Sequence, residues 1–158
     1  MDAYKLLASA RSYIRKLDGF YAQAAATHNA TLEQFQVLLA VKSLGAGKVA
    51  ARLIAEHLVR DRATTIQLCW RMQELGLLEL TYETNSAKPQ LLVSLSPQGE
   101  NVLSSITQEG LMKRYSYLKS LSPERCKVLA EAVRFSWLNG LEQGGAESDK
   151  RVRRDHHS

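Results

Sequence analysis

Cysteine is scarce in this chain: Cys69 and Cys126 are the only two in 158 residues, and no CxxC spacing joins them. His28, His57, His156 and His157 are scattered, so no metal-ligand cluster forms and no metal or cofactor is expected. No apolar run approaches the ~20 residues that a membrane-spanning helix needs. The opening Met1-Asp2-Ala3-Tyr4-Lys5 lacks the basic segment, apolar stretch and small-residue cleavage site of a signal peptide. A cytoplasmic protein away from membranes is the expectation. HExxH, P-loop and GxSxG patterns are missing too, as is a carboxylate-rich metal set, so an enzyme is not expected.

What is present suits one domain, or one domain with an extended arm: 45% of residues are hydrophobic and 23% charged. The net charge is +5. Residues 142–158 set Lys150, Arg151, Arg153 and Arg154 against Glu142, Glu147, Asp149 and Asp155, so the whole surplus belongs to residues 1–141. That surplus permits binding to a polyanion without requiring it.

The pattern along the chain is mostly helical. Leu7, Ile14, Leu17 and Tyr21 mark a first helix from Tyr4 to about Ala26, with Gly19 its weak point. Thr31-Leu-Glu-Gln34 is a capping box for a second helix whose stripe is Leu32, Phe35, Leu38 and Leu39. A third helix is expected over Val49–Leu58, with Leu53, Ile54 and Leu58 inward. Asp61 N-caps a fourth, Arg62 to about Leu75, ended by Gly76. Two helices joined by about three residues have helix-turn-helix spacing. Leu78, Leu80 and Tyr82 then alternate with Glu79, Thr81 and Glu83 as a strand. Residues 84–89 carry turn chemistry, and Gln90–Leu95 is a second strand. Ser96-Pro97 opens a long helix to about Lys119, and Ser122-Pro123-Glu124 opens a last one to about Leu141. The expected fold class is mainly α with a small β-hairpin wing: a winged helix-turn-helix lobe plus a helical dimerisation region. The expected divisions are 1–30 and 98–141 for dimerisation, 31–97 for the lobe and 142–158 for a disordered tail.

The run Arg71-Met-Gln-Glu-Leu-Gly-Leu-Leu78, a hairpin, and then Val93-Ser-Leu-Ser-Pro-Gln-Gly99 resembles the MarR/SlyA family of bacterial regulators. Thr31-Leu-Glu-Gln-Phe and Leu121-Ser-Pro-Glu-Arg sit where that family has similar segments, and the resemblance covers about residues 5 to 141. It implies a dimer whose N-terminal and last two helices intertwine and hold two winged-helix lobes apart. It also implies regulation by a small, often aromatic effector or by thiol oxidation. The sequence departs from the family at the wing. The family's D-x-R is replaced by Ala87-Lys88-Pro89, and Leu80 stands where an arginine would brace that aspartate. Lys88 offers a point charge without the planar fork of arginine.

At 100° per residue, Thr65, Leu68, Cys69, Met72 and Leu75 share one side of the fourth helix. Ala63, Thr64, Gln67, Arg71 and Glu74 share the other. The polar side is the candidate DNA face. Gln67 suits adenine, Arg71 guanine or phosphate, and Thr64 a thymine methyl or phosphate. Arg60, Arg62 and Lys48 read as phosphate contacts that set register. Ile66 and Trp70 lie on the edge between the sides, fit either to pack beneath the wing against Tyr82 or to touch a thymine methyl or sugar.

Apolar positions in the last two helices, among them Val102, Leu103, Ile106, Leu111, Tyr115, Leu118, Val128, Leu129, Val133, Trp137 and Leu141, support a homodimer. Its two-fold symmetry would match a pseudo-palindromic operator. Tyr13, Arg15, Tyr21 and His28 are the candidate contacts for a small aromatic effector, and Cys126 is the candidate redox thiol. The expected function is a sequence-specific regulator of double-stranded DNA, a repressor by preference. The rival reading is a winged-helix module that binds protein instead of DNA, motivated by the missing D-x-R and the low net charge.

Overall fold

The computed structural model describes residues 2–45, 47–84 and 87–135. Asn85 and Ser86 in the wing turn, Trp137, Leu141 and the tail 142–158 lie outside the described residues. Among the described residues, six helices and three short strands follow one another: α1 Ala3–Thr27, α2 Leu32–Leu44, β1 Val49–Ala50, α3 Ala51–Leu58, α4 Arg62–Glu74, β2 Leu78–Glu83, β3 Gln90–Leu95, α5 Pro97–Ser120 and α6 Pro123–Arg134. No helix among the described residues is long and apolar enough to cross a membrane.

The helix starts follow local chemistry. At α2, the Gln34 amide donates to Thr31 Oγ1 at 3.1 Å and the Thr31 amide donates to Gln34 Oε1 at 3.0 Å, which satisfies two orphan donors at once. Asp61 caps α4 and Ser122 caps α6, with Pro123 in its first turn. Gly19 does not interrupt α1.

The strands form one antiparallel sheet in the order β1-β3-β2. The sequence pattern missed β1: Val49 and Ala50 were expected to open α3, but they pair with Val93 and Leu92. Buried Val49 is more useful beside β3 than in a helical turn. In α3 the inward face is Ala51, Ile54, Ala55 and Leu58, whereas Leu53, expected inside, is 37% exposed. Two small alanines let α3 lie close to its neighbours without Leu53.

Contacts divide the chain into two units, one made of residues up to Asp18 and from Arg114 onward, the other of Gly19–Lys113. In the second unit Phe35, Leu38, Val41, Ile54, Met72, Leu78, Val93 and Ile106 form a continuous core. Tyr21 stacks on Phe35 with ring centroids 5.0 Å apart and planes 9° from parallel. This core draws in Ala24 and Ala25 of α1 and Leu103 and Ile106 of α5. The other unit has a small core of Leu6, Ala10 and Ala132, with Phe135 against it. There Leu7 and Ile14, which mark the first helix by their spacing, are exposed, as are Tyr4 and Tyr115.

Where β2 begins and α5 starts, the chain passes itself closely. A Cβ at Gly99 would stand 2.0 Å from the Leu77 carbonyl oxygen, so only glycine fits. Ser96 ties the same place together: its Oγ donates to the Gly76 carbonyl and accepts the Gly99 amide at 2.9 Å.

Candidate nucleic-acid interface

The turn between α3 and α4 is built on Val59, held in the left-handed region at φ 53° and ψ 51° with its side chain 90% exposed. That conformation closes α3: the Val59 amide donates to Glu56 O, and the Arg60 amide donates to Ala55 O at 2.9 Å. Two residues later Asp61 starts α4, its Oδ2 accepting both the Thr64 amide (2.9 Å) and the Thr64 hydroxyl (3.0 Å). These hydrogen bonds, the backbone one first, hold the Asp61 carboxyl below its ordinary pKa. The resulting stabilisation is present above about pH 4 and is lost as pH falls through the lowered value.

Helix α4 is divided as its periodicity implies. Thr65, Cys69 and Met72 are buried, while Ala63, Thr64, Gln67, Arg71 and Glu74 are exposed. Leu75 departs from the expected apolar side: it is the C-cap residue and is 54% exposed. Gly76, at φ 79°, reverses the chain into β2. Thr64 is exposed, but its hydroxyl proton is spent on Asp61. Desolvation pushes the Cys69 thiol up to about 11, so this cysteine is an inert core side chain.

The candidate phosphate contacts separate. Arg60 is ion-paired with Glu33 of α2, a partner far away in sequence. Arg62 lies 3.8 Å from Glu56, with both side chains well exposed, so that pair is weak. Lys48 is exposed just before β1, and Lys88 is exposed at the wing turn. Arg52, exposed on α3, was not singled out by the sequence pattern; a lone cation in the first helix of the motif gives little local signal.

The wing is joined to α4 by a residue that periodicity does not flag. Gln73 Oε1 accepts the Leu80 amide at 2.7 Å, covering an outward N–H of the edge strand β2. Leu80 thus occupies the expected arginine position as a half-buried residue packed on the core. Trp70 and Tyr82 bring their rings to 6.4 Å, so Trp70 meets the wing as one of its two open readings anticipates. Ile66, half-buried, packs against the core.

The candidate effector residues are divided between the two units. Tyr21 belongs to the aromatic stack, and His28 Nε2 lies 2.9 Å from Glu109 Oε1, both within the Gly19–Lys113 unit. Thr27 also donates to Glu109 at 2.8 Å, and these bonds lower the Glu109 pKa. Tyr13 and Arg15 belong to the other unit, where Arg15 is exposed and Tyr13 accepts from Arg114 Nε at 3.2 Å. Tyr13 lines two open clefts there, of about 650 and 620 Å³. The first also carries Lys16, whose ammonium sits 4.8 Å above the Tyr117 ring. The second carries half-buried Cys126, whose Sγ is 3.7 Å from Leu118 O. Among the described residues no group of histidine, cysteine, aspartate or glutamate is placed to hold a metal ion.

A helix-turn-helix followed by a β-hairpin, with β1 completing the sheet from before the motif, defines a winged-helix protein. The fold is, more narrowly, MarR-like, and solved structures of several regulators match it over nearly their full length. A mutant MarR from Escherichia coli complexed with operator DNA is 18% identical, with a TM-score of 0.64 over 80% of this chain and 89% of that one. A MarR-family transcriptional regulator from Rhodococcus sp. RHA1 is 13% identical, with a TM-score of 0.63 over 82% and 89%. Bordetella bronchiseptica BpsR, whose DNA binding is regulated by 6-hydroxynicotinic acid, is 19% identical, with a TM-score of 0.60 over 78% and 92%. The sequence matches no protein-family model and no curated protein.

Proposed function

We propose that this protein is a sequence-specific, double-stranded-DNA-binding transcriptional regulator, a cytoplasmic repressor acting as a homodimer. The observation that carries the reading is the division of α4, with a buried face anchored in the lobe and an exposed face of Thr64, Gln67 and Arg71. Gln67 offers a donor and an acceptor for adenine N7 and N6, and Arg71 offers two parallel donors for guanine or phosphate. Arg62, Lys48 and Lys88 supply phosphate contacts that set register, with Arg60 a lesser contributor because of its pairing with Glu33. The likeness to MarR on operator DNA supports the class of ligand.

Dimerisation is supported by the exposed Tyr4, Leu7, Ile14 and Tyr115, which a second copy would cover. Release from DNA is assigned to a small aromatic effector, by analogy with BpsR, or to oxidation of Cys126. Of the four candidate effector residues, Tyr13 has the best support because it lines open space, while Tyr21 and His28 are committed to packing and to Glu109.

The protein-binding reading is favoured by one feature: Glu79 and Glu83 are exposed on β2 of a wing that lacks arginine. A salt titration on fragments of genomic DNA separates the two. The DNA reading expects log K to fall linearly with log salt, at about −0.9 per phosphate neutralised. Lack of affinity even near 50 mM salt favours the protein-binding module.

A further inference from the structure

Beside Gln67 and Arg71 lies an aromatic pair that the core cluster leaves at the surface. Trp70 is 36% exposed and Tyr82 58% exposed, and neither is part of the packed cluster that closes the lobe. On the surface of α4, Trp70 adjoins Gln67 one turn before it and Glu74 one turn after it. The strand alternation sets Leu78, Leu80 and Tyr82 on one face of β2, with Glu79, Thr81 and Glu83 on the other. The rings stand 6.4 Å apart and tilted by 41°, and the Gln73–Leu80 hydrogen bond holds helix and strand at that spacing. The result is a two-ring step that runs from the polar face of α4 to the wing.

We propose that Trp70 and Tyr82 are specificity-determining residues for double-stranded DNA, seating against thymine C5 methyl groups and the adjoining deoxyribose. The proposal rests on the DNA-binding reading and names a part of that interface. The thymine methyl is the apolar group that base edges present in the major groove, and α4 is the element that would enter it. Arg62 and Arg71 on α4 give the flanking positive charge that draws phosphate, whereas Glu79 and Glu83 disfavour phosphate on the opposite face of β2. The contact is therefore made by the aromatic side of the wing. An apolar step reads methyl groups, a different signal from the phosphate charge that Arg62 and Arg71 would meet.

The test uses the full chain and genomic fragments that it selects. Each bound fragment is footprinted and remade with uracil in place of thymine within the footprint, which removes only the methyl groups. The proposal expects wild-type affinity to fall about fourfold per contacted methyl. It expects W70A and Y82A each to lose part of that discrimination, and the double variant to lose more than either, keeping at most the share of a Thr64 contact. W70F should keep part of it. Unchanged salt dependence and thermal midpoint show that the variants are folded; if W70A is not, Y82A and the uracil comparison with wild type decide the matter.

Equal wild-type affinity for thymine and uracil DNA overturns the proposal while leaving DNA binding intact, as does discrimination that is undiminished in the double variant. Lack of wild-type affinity for any fragment at low salt overturns the DNA-binding reading and this one with it.

Discussion

Val59 and Arg60 decide how the motif turns, and neither could be understood from its neighbours alone. Val59 is a β-branched residue in the left-handed region, where an L side chain costs about 1–2 kcal/mol, and its exposed side chain recovers little of that by packing. Val59→Gly should therefore raise stability by up to about 1 kcal/mol after the extra entropy of an unfolded glycine is offset. Urea unfolding measures it, and a loss of stability would mean that the valine side chain makes a contact worth more than its strain. Arg60 looks in sequence like a cation waiting for phosphate beside Arg62. Its ion pair with Glu33 depends on how α2 packs, which periodicity does not encode. Asp61 was legible because its hydrogen bonds reach only three residues ahead.

The same contrast between local and distant determinants holds for whole elements. Capping signals at Thr31, Asp61 and Ser122 mark the starts of α2, α4 and α6 because each closes within one turn. Strand β1 was not legible, since two residues become a strand only by finding β3 more than forty positions away. Nor was the anchoring of the wing by Gln73, which in the sequence is one more polar residue on a helix. The junction of β2 and α5 allows a sharp prediction. Gly99→Ala forces a methyl into the Leu77 carbonyl and should cost about 1–3 kcal/mol, the range for overpacking. A thermal midpoint lowered by several degrees is the expected result, and an unchanged midpoint would mean that the two segments separate easily.

For the molecule as a whole, the hydrophobic pattern and turn chemistry were enough to infer a winged helix with helical flanks. The division of α4 into a buried and an exposed side was also legible, since burial follows the same 3.6-residue period as sequence. The extent of the lobe was less so, because α1 and α5 each serve both compact units and a continuous helical stripe does not reveal where one core ends. The candidate effector residues illustrate the limit: Tyr13 and Arg15 fall in one unit and Tyr21 and His28 in the other. In the proposed DNA-binding reading, a wing without arginine leaves recognition to depend more heavily on α4. The most direct measurement is therefore a mobility shift, at one fixed salt concentration, of a genomic fragment selected by the wild-type chain, comparing that chain with the Gln67→Ala/Arg71→Ala double variant. At about 1–3 kcal/mol for each base contact, the account predicts that affinity falls at least roughly 30-fold. Equal affinity of the folded double variant would contradict it.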